Sequence, residues 1–286
     1  VRAIAKARMT RAAPTHGIGT KVRHKIGRAL ADRNPSMHVL VFQHLAVEHP
    51  GIFRDLWSKA GHTWRTVELD QGEQIPELDE FDLLVVMGGP MDVWQEDLYP
   101  WLIPEKAAIR RWVMDLDRPF LGVCLGHQLL AAALGGTVSL MRDPEVGLAA
   151  VELTEAGKRD PLLANFASPI ETFQWHGAEI SSLPAGMTVL AKNAACPVQA
   201  VRFGRHAYGF QYHVEITETT VGEWAGIPEY KASLERALGK ERAAYLEGDV
   251  VAKLGGFGRA AGRLDENLRA IVDAARPLDA TRHAHT

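Results

Sequence analysis

The residues Phe120-Leu-Gly-Val-Cys-Leu-Gly-His-Gln-Leu129 decide how this chain is read. An apolar run ends in Gly122-Val-Cys124-Leu-Gly126, and Leu125, Leu129, Leu130 and Leu134 then recur at helical spacing. That is the pattern of a nucleophile elbow, in which a strand turns sharply into a helix and the attacking residue sits at the turn. Glycines flank such a turn because side chains there would clash as the strand folds back against the helix. The thiolate is the reactive form of cysteine, and a helix N-terminus favours negative charge. Cys124 is therefore the expected nucleophile of an enzyme.

Composition narrows the setting. The chain has 286 residues, 47% hydrophobic and 23% charged, which is ordinary for a globular protein of one large or two small domains. A net charge of −3 gives no sign of a nucleic-acid partner. No apolar run reaches membrane-spanning length, so no membrane partner is expected. Cys124 and Cys196 are the two cysteines, and they lack metal-ligand spacing. They indicate free thiols in a reducing, cytoplasmic compartment, with Cys196 a small buried or turn residue.

The charge is unevenly placed. Residues 1–36 hold nine Lys/Arg against Asp32 alone, leaving residues 37–286 with 23 basic and 34 acidic residues, −11 net. This basic leader reads as a disordered tail, a transit peptide, or an extension upstream of a true start at Met37. The last is favoured because Met37 directly precedes a clean strand, His38-Val-Leu-Val-Phe-Gln43. In every case the leader is expected outside the fold.

From Met37 short apolar strands alternate with helices. Strand 38–43 precedes a helix carrying Ile52, Phe53, Leu56, Trp57 and Ala60; strands 62–69 and 81–87, a helix over 101–116 and strand 119–123 follow. This alternation predicts an α/β fold, a parallel sheet with helices on both faces. After residue 136 the candidates are β-rich: 137–140, 148–153, 170–175, 187–191, 198–203 and 208–213, expected as antiparallel additions to the same sheet. Residues beyond Glu215 read as helical to about 275, with a break at Gly255-Gly-Phe-Gly258 and a frayed last ten residues. That glycine run follows no strand and is no dinucleotide fingerprint.

A cysteine needs a base, an orienting group and an oxyanion site. In open α/β sheets these gather at the carboxyl ends of the strands. Val85-Val-Met-Gly88-Gly89-Pro90 ends one strand in a turn whose N–H groups face a substrate. The Leu125 N–H, just past the nucleophile, is aimed at an oxyanion. Gly209-Phe-Gln-Tyr-His213-Val-Glu215 ends another strand, and its two-residue spacing sets His213 and Glu215 on one side of an extended chain. His176 reads equally as a hydrogen-bonded structural residue or a substrate contact. His44, His62, His127 and His206 are set aside as non-catalytic, and no metal site is expected.

The set Gly-Gly-Pro, Gly-Val-Cys-Leu-Gly-His-Gln, Gln-Trp-His-Gly (174–177) and Gln-Tyr-His-Val-Glu resembles the class I, triad-type glutamine amidotransferases. It is most like the stand-alone GMP-synthase-like members, over about residues 37–216. The resemblance implies a flavodoxin-like three-layer fold; residues 217–286 are expected as a C-terminal helical extension packed on the same domain. It makes Cys124 the nucleophile, His213 the general acid/base and Glu215 its orienter. Gly89 and Leu125 become the oxyanion donors, Gln128 the binder of the glutamine side chain, and Trp175, His176 and Gly177 the holders of its amino-acid end. No cofactor is implied. Two departures stand out. Val214 occupies the usual proline of His-Pro-Glu, which the chemistry tolerates because the proline only fixes φ. His176-Gly177-Ala178-Glu179 replaces the common His-Gly-Asp, which bears on substrate identity.

The reaction so implied is glutamine hydrolysis through a γ-glutamyl thioester on Cys124. The chain holds no P-loop and no Ser-Gly-Gly-x-Asp-Ser motif, so a separate acceptor or synthetase subunit is expected to receive the ammonia. The alternatives are a stand-alone γ-glutamyl peptide or amide hydrolase, and a catalytically silent subunit that only binds glutamine. The sequence leaves oligomeric state open.

Overall fold

The computed structural model describes residues 36–276. The basic leader (but for Ser36) and the last ten residues lie outside the described part. The first half is the alternating pattern realised: β1 (His38–Gln43), α1 (Ile52–Ala60), β2 (Thr63–Glu68), β3 (Leu83–Val86), α2 (Leu102–Arg110), β4 (Phe120–Val123) and α3 (Leu125–Ala133). Helix α2 runs on into a wider turn over Arg111–Asp115. The second half is β5 (Thr137–Leu153), β6 (Ile170–Ser182), β7 (Met187–Lys192), β8 (Ala200–Phe203) and β9 (Ala207–Phe210). Four helices close the described chain: α4 (Thr220–Ala225), α5 (Pro228–Ala243), α6 (Leu246–Val251) and α7 (Leu254–Ala275).

The nine strands lie in the order β2-β1-β3-β4-β9-β8-β7-β5-β6. From β2 to β9 neighbours are parallel, and from β9 to β6 they are antiparallel. Alternation along the buried strands divides the core in two. Val39, Val41, Leu83, Val85, Leu121 and Val123 face one side, against Phe53 and Trp57 of α1. Leu40, Phe42, Leu84, Val86 and Phe120 face the other, against Ile109 and Trp112 at α2 and Leu129 and Leu130 of α3. This is the expected three-layer arrangement.

Three local readings are revised. The segments 137–140 and 148–153 form one strand, β5, whose pairing with β6 shifts register between Leu140 and Glu145. Gly255–Gly258 breaks no helix; it lies in the first turns of α7, and the chain is interrupted instead at Gly239, whose φ is 72°. Strand β9 ends at Phe210, and His213 is joined to the sheet by an isolated bridge to Phe173. Helix α7 packs Ala261, Leu264, Leu268 and Val272 into the same core as Phe53 and Trp57. Helices α4 to α6 and the start of α7 build a third cluster, in which Trp224, Tyr230, Leu234, Val250 and Phe257 meet Phe173 and Trp175 of β6. No helix among the described residues is long and apolar enough to cross a membrane.

Candidate active site

Cys124 sits between β4 and α3 with φ 51° and ψ −104°, a conformation costly for a residue with a Cβ. Its N–H donates to Phe210 O at 2.7 Å, tying the elbow to the end of β9. The flanking glycines are required by distance. A Cβ on Gly122 would lie 2.4 Å from Gly126 O, and one on Gly126 would lie 2.0 Å from Val86 O. The sulfur is buried, with Trp175 O at 3.9 Å and Gln211 Nε2 at 3.7 Å.

His213 and Glu215 lie just past β9 and are both buried. His213 Nδ1 donates to Glu215 Oε1 at 2.6 Å, and Glu215 Oε2 accepts from Val214 N at 2.9 Å. Burial works against a charged imidazole, but Glu215 and the facing Cys124 hold the His213 pKa well above the ordinary histidine range. The backbone here is anchored twice. His213 N donates to Phe173 O at 2.8 Å, and Glu215 O accepts from Ile52 N at 2.8 Å, at the start of α1. Trp224 of α4 stands edge-on to the imidazole, 4.7 Å between centroids.

A cavity of about 150 Å³ opens over the sulfur. Its wall includes Cys124, Gly89, Gln128, Trp175, His176 and Gly177, bringing together residues that the sequence marked from three separate segments; His213 and Glu215 are not in the wall. Leu125 is not in the wall, but its side chain packs on the Gly89 turn, with Cδ2 3.0 Å from where a Cβ on Gly89 would stand. Among the described residues, neither the Gly89 nor the Leu125 N–H is taken by another backbone group. Gln128 donates to Ala178 O and Gln211 Oε1, each at 3.1 Å. His176 is fixed between Ala178 O at 3.0 Å and Glu145 Oε2 at 3.2 Å, so it lines the cavity and is hydrogen-bonded at once. The acid of the departing His-Gly-Ala-Glu segment leaves the cavity. Glu179 interacts instead with Cys196, and burial pushes the pKa of that thiol up to about 12.

Sequence reading passed over several wall residues. Asp92, from the loop after β3, is half-buried, and burial alone raises its pKa. Glu229, Tyr230 and Ser233 come from α5, and Ser233 accepts from Trp175 Nε1 at 2.9 Å. Tyr230 also donates to Glu48 in the loop after β1. Glu48 is fully buried with one oxygen unpaired, and burial raises its pKa to about 6. Its position at the carboxyl end of β1 was the available signal.

Of the histidines set aside, His127 is fully buried, its pKa pushed down to about 3 by that burial, and it packs against Gly209. His44 differs. Its Nδ1 meets Gly88 O and its Nε2 meets Glu105 Oε1, both at 2.8 Å, with both side chains inaccessible. A carbonyl and a carboxylate only accept, so both ring nitrogens donate. Burial opposes that charge, but Glu105 raises the His44 pKa above its ordinary value. The ring stacks on Trp101, 5.3 Å away.

Known proteins resemble the chain on both counts, sequence and fold. Residues 52–224, more than half its length, match the family Glutamine amidotransferase class-I. The glutamine amidotransferase-like protein YfeJ of Salmonella typhimurium is 37% identical over 189 residues, covering 65% of this chain and 78% of that protein. A subunit of the glutamine-hydrolysing GMP synthase of Saccharolobus solfataricus is 33% identical over 149 residues, covering 52% and 74%. A glutamine amidotransferase structure from Thermotoga maritima superposes with a TM-score of 0.73 at 27% identity, covering 82% of this chain and 99% of that one. The chain belongs to the class I glutamine amidotransferase family.

Proposed function

We propose that this chain hydrolyses the side-chain amide of glutamine, with Cys124 as nucleophile, His213 as general acid/base and Glu215 as its orienter. The observation that carries the reading is one piece of geometry. A cysteine in a strained elbow faces an imidazole held at 2.6 Å by a buried carboxylate, and the cysteine lines a small cavity. In the reaction, the Cys124 thiol passes its proton to His213 as the sulfur adds to the amide carbon, and the carbonyl oxygen becomes an oxyanion met by the Gly89 and Leu125 N–H groups. His213 gives its proton to the departing ammonia, leaving a γ-glutamyl thioester. Water, losing a proton to His213, then adds to the thioester, and the sulfur leaves with that proton, freeing glutamate and the thiol. Gln128 and the Trp175–Gly177 stretch hold the substrate. The likeness to one subunit of a GMP synthase supports a separate synthetase chain that receives the ammonia.

The test is glutamine turnover by the purified chain, read as ammonia and glutamate, together with labelling by an electrophilic glutamine analogue. The expected label is on Cys124, and Cys124→Ala lowers turnover roughly 10³-fold or more. Undiminished activity in Cys124→Ala would falsify the mechanism. Turnover of a γ-glutamyl peptide with none of glutamine would instead make the chain a γ-glutamyl hydrolase.

A further inference from the structure

We propose that His44 and Glu105 are positioning residues for the oxyanion site, a second buried His–Glu pair that locks the Gly88–Gly89 peptide with its N–H toward Cys124. This rests on the reading of Gly89 as an oxyanion donor. The Gly88–Gly89 peptide is trans, so its C=O and N–H point in opposite directions. His44 Nδ1 holds that C=O at 2.8 Å, and His44 itself is not part of the cavity wall to which Gly89 contributes. The Gly89 N–H therefore points away from the C=O that His44 grips, and Gly89 shares the cavity wall with Cys124.

A glycine pair needs such a lock. Without side chains, a Gly-Gly peptide rotates among several conformations, and an oxyanion donor is effective only when already in place. The lock is rigid for its own reasons. Glu105 comes from α2 and is completely buried, and its hydrogen bond to His44 Nε2 fixes the ring plane. Trp101 stacks on one face of the ring. Glu48 presses on the turn independently, since a Cβ on Gly88 would stand 2.5 Å from its Oε2. The pair touches no substrate; it acts through the peptide it grips.

Two double variants separate positioning from plain structure. His44→Leu/Glu105→Leu replaces a buried pair with apolar side chains, an exchange that folds tolerate. His44→Asn/Glu105→Gln keeps a donor near Gly88 O, because an asparagine amide nitrogen overlays histidine Nδ1. The expected result is a kcat for glutamine lowered about 100-fold in the leucine pair, the cost of a lost oxyanion donor. KM should stay near wild type, and the Asn/Gln pair should recover most of the loss. Equal kcat in the two folded variants overturns the proposal, as does wild-type kcat in the leucine pair. If the leucine pair does not fold, His44→Gln/Glu105→Gln takes its place under the same expectations, since its amide nitrogen overlays Nε2. The Gly89 amide resonance supplies a readout free of turnover. It should move in the leucine pair and stay in the Asn/Gln pair, and no movement in either overturns the lock. A wild-type chain that neither turns over glutamine nor takes the label fails the proposed function alone, leaving this spectral test standing.

Discussion

At the scale of single residues, Cys124 occupies a backbone conformation that its own side chain disfavours. The strain is of the order of 1–3 kcal/mol and is carried by the surrounding elbow. Glycine adopts φ near 51° freely, whereas alanine keeps the Cβ that causes the strain. Cys124→Gly is therefore expected to unfold at a higher denaturant concentration than Cys124→Ala, by about 1 kcal/mol, although both lack the sulfur. Equal midpoints would show that the elbow stores no strain. Residues of this kind were legible because the information is local: a strand, two glycines and a cysteine within five positions. His213 and Glu215 are two residues apart and equally easy to see. His44 and Glu105 are 61 positions apart, and Glu48 and Tyr230 are 182 apart. Only the folded sheet brings such partners together, and nothing in their neighbours' spacing announces it.

At the scale of elements, β5 and β6 carry the floor of the cavity on a buried polar layer. Glu145 of β5 accepts from Gln199 at 2.8 Å, from Asn193 at 2.5 Å and from His176 at 3.2 Å. Gln199 in turn accepts from Gln174 at 3.1 Å. Such layers are strong when complete and costly when opened. Glu145→Ala leaves three donors without their acceptor, those of Gln199 and His176 on buried residues, and each buried unpaired group costs about 1–3 kcal/mol. The expected outcome is a clearly lowered melting temperature. Because His176 lines the cavity, KM for glutamine should rise more than kcat falls. A change in stability with KM unaltered would confine Glu145 to the scaffold. The sequence indicated strands at both ends of β5 but not their union, because Arg142-Asp-Pro-Glu145 reads as a turn. Pairing with β6 carries the chain through that stretch with a register shift.

At the scale of the whole molecule, the last described helices complete the core. Helix α7 lies with α1 over one face of the sheet, and α4 and α5 bring Trp224 and Tyr230 to the candidate site. Sequence periodicity indicated helices there but carried no record of what they cover. Glu48, under Tyr230 and against Gly88, is where these parts meet. Its carboxyl is raised from 4.5 to about 6, first by burial. A carboxyl with a raised folded-state pKa favours folding while protonated, below pH 4.5, and that contribution is lost as pH rises through 6. The loss is about 2 kcal/mol. Glu48→Gln stays neutral and keeps an acceptor for Tyr230. Relative to wild type it should gain about that much stability between roughly pH 4.5 and pH 7.5 in denaturant titrations. A difference that stays flat with pH would mean that Glu48 titrates as an ordinary exposed glutamate.

The loop before α1 has a consequence for comparing chains. Gly51 has φ 49°, and a Cβ there would stand 1.8 Å from Glu215 O, the same oxygen that accepts the first N–H of α1. Position 51 thus works as a marker for the path taken by the chain after His213. A related sequence with any other residue at the equivalent place cannot thread its Glu215 counterpart along this route. Its carboxylate would have to reach the imidazole from another direction. One glycine, 164 positions upstream, therefore sorts relatives that share this docking from those that have rerouted it.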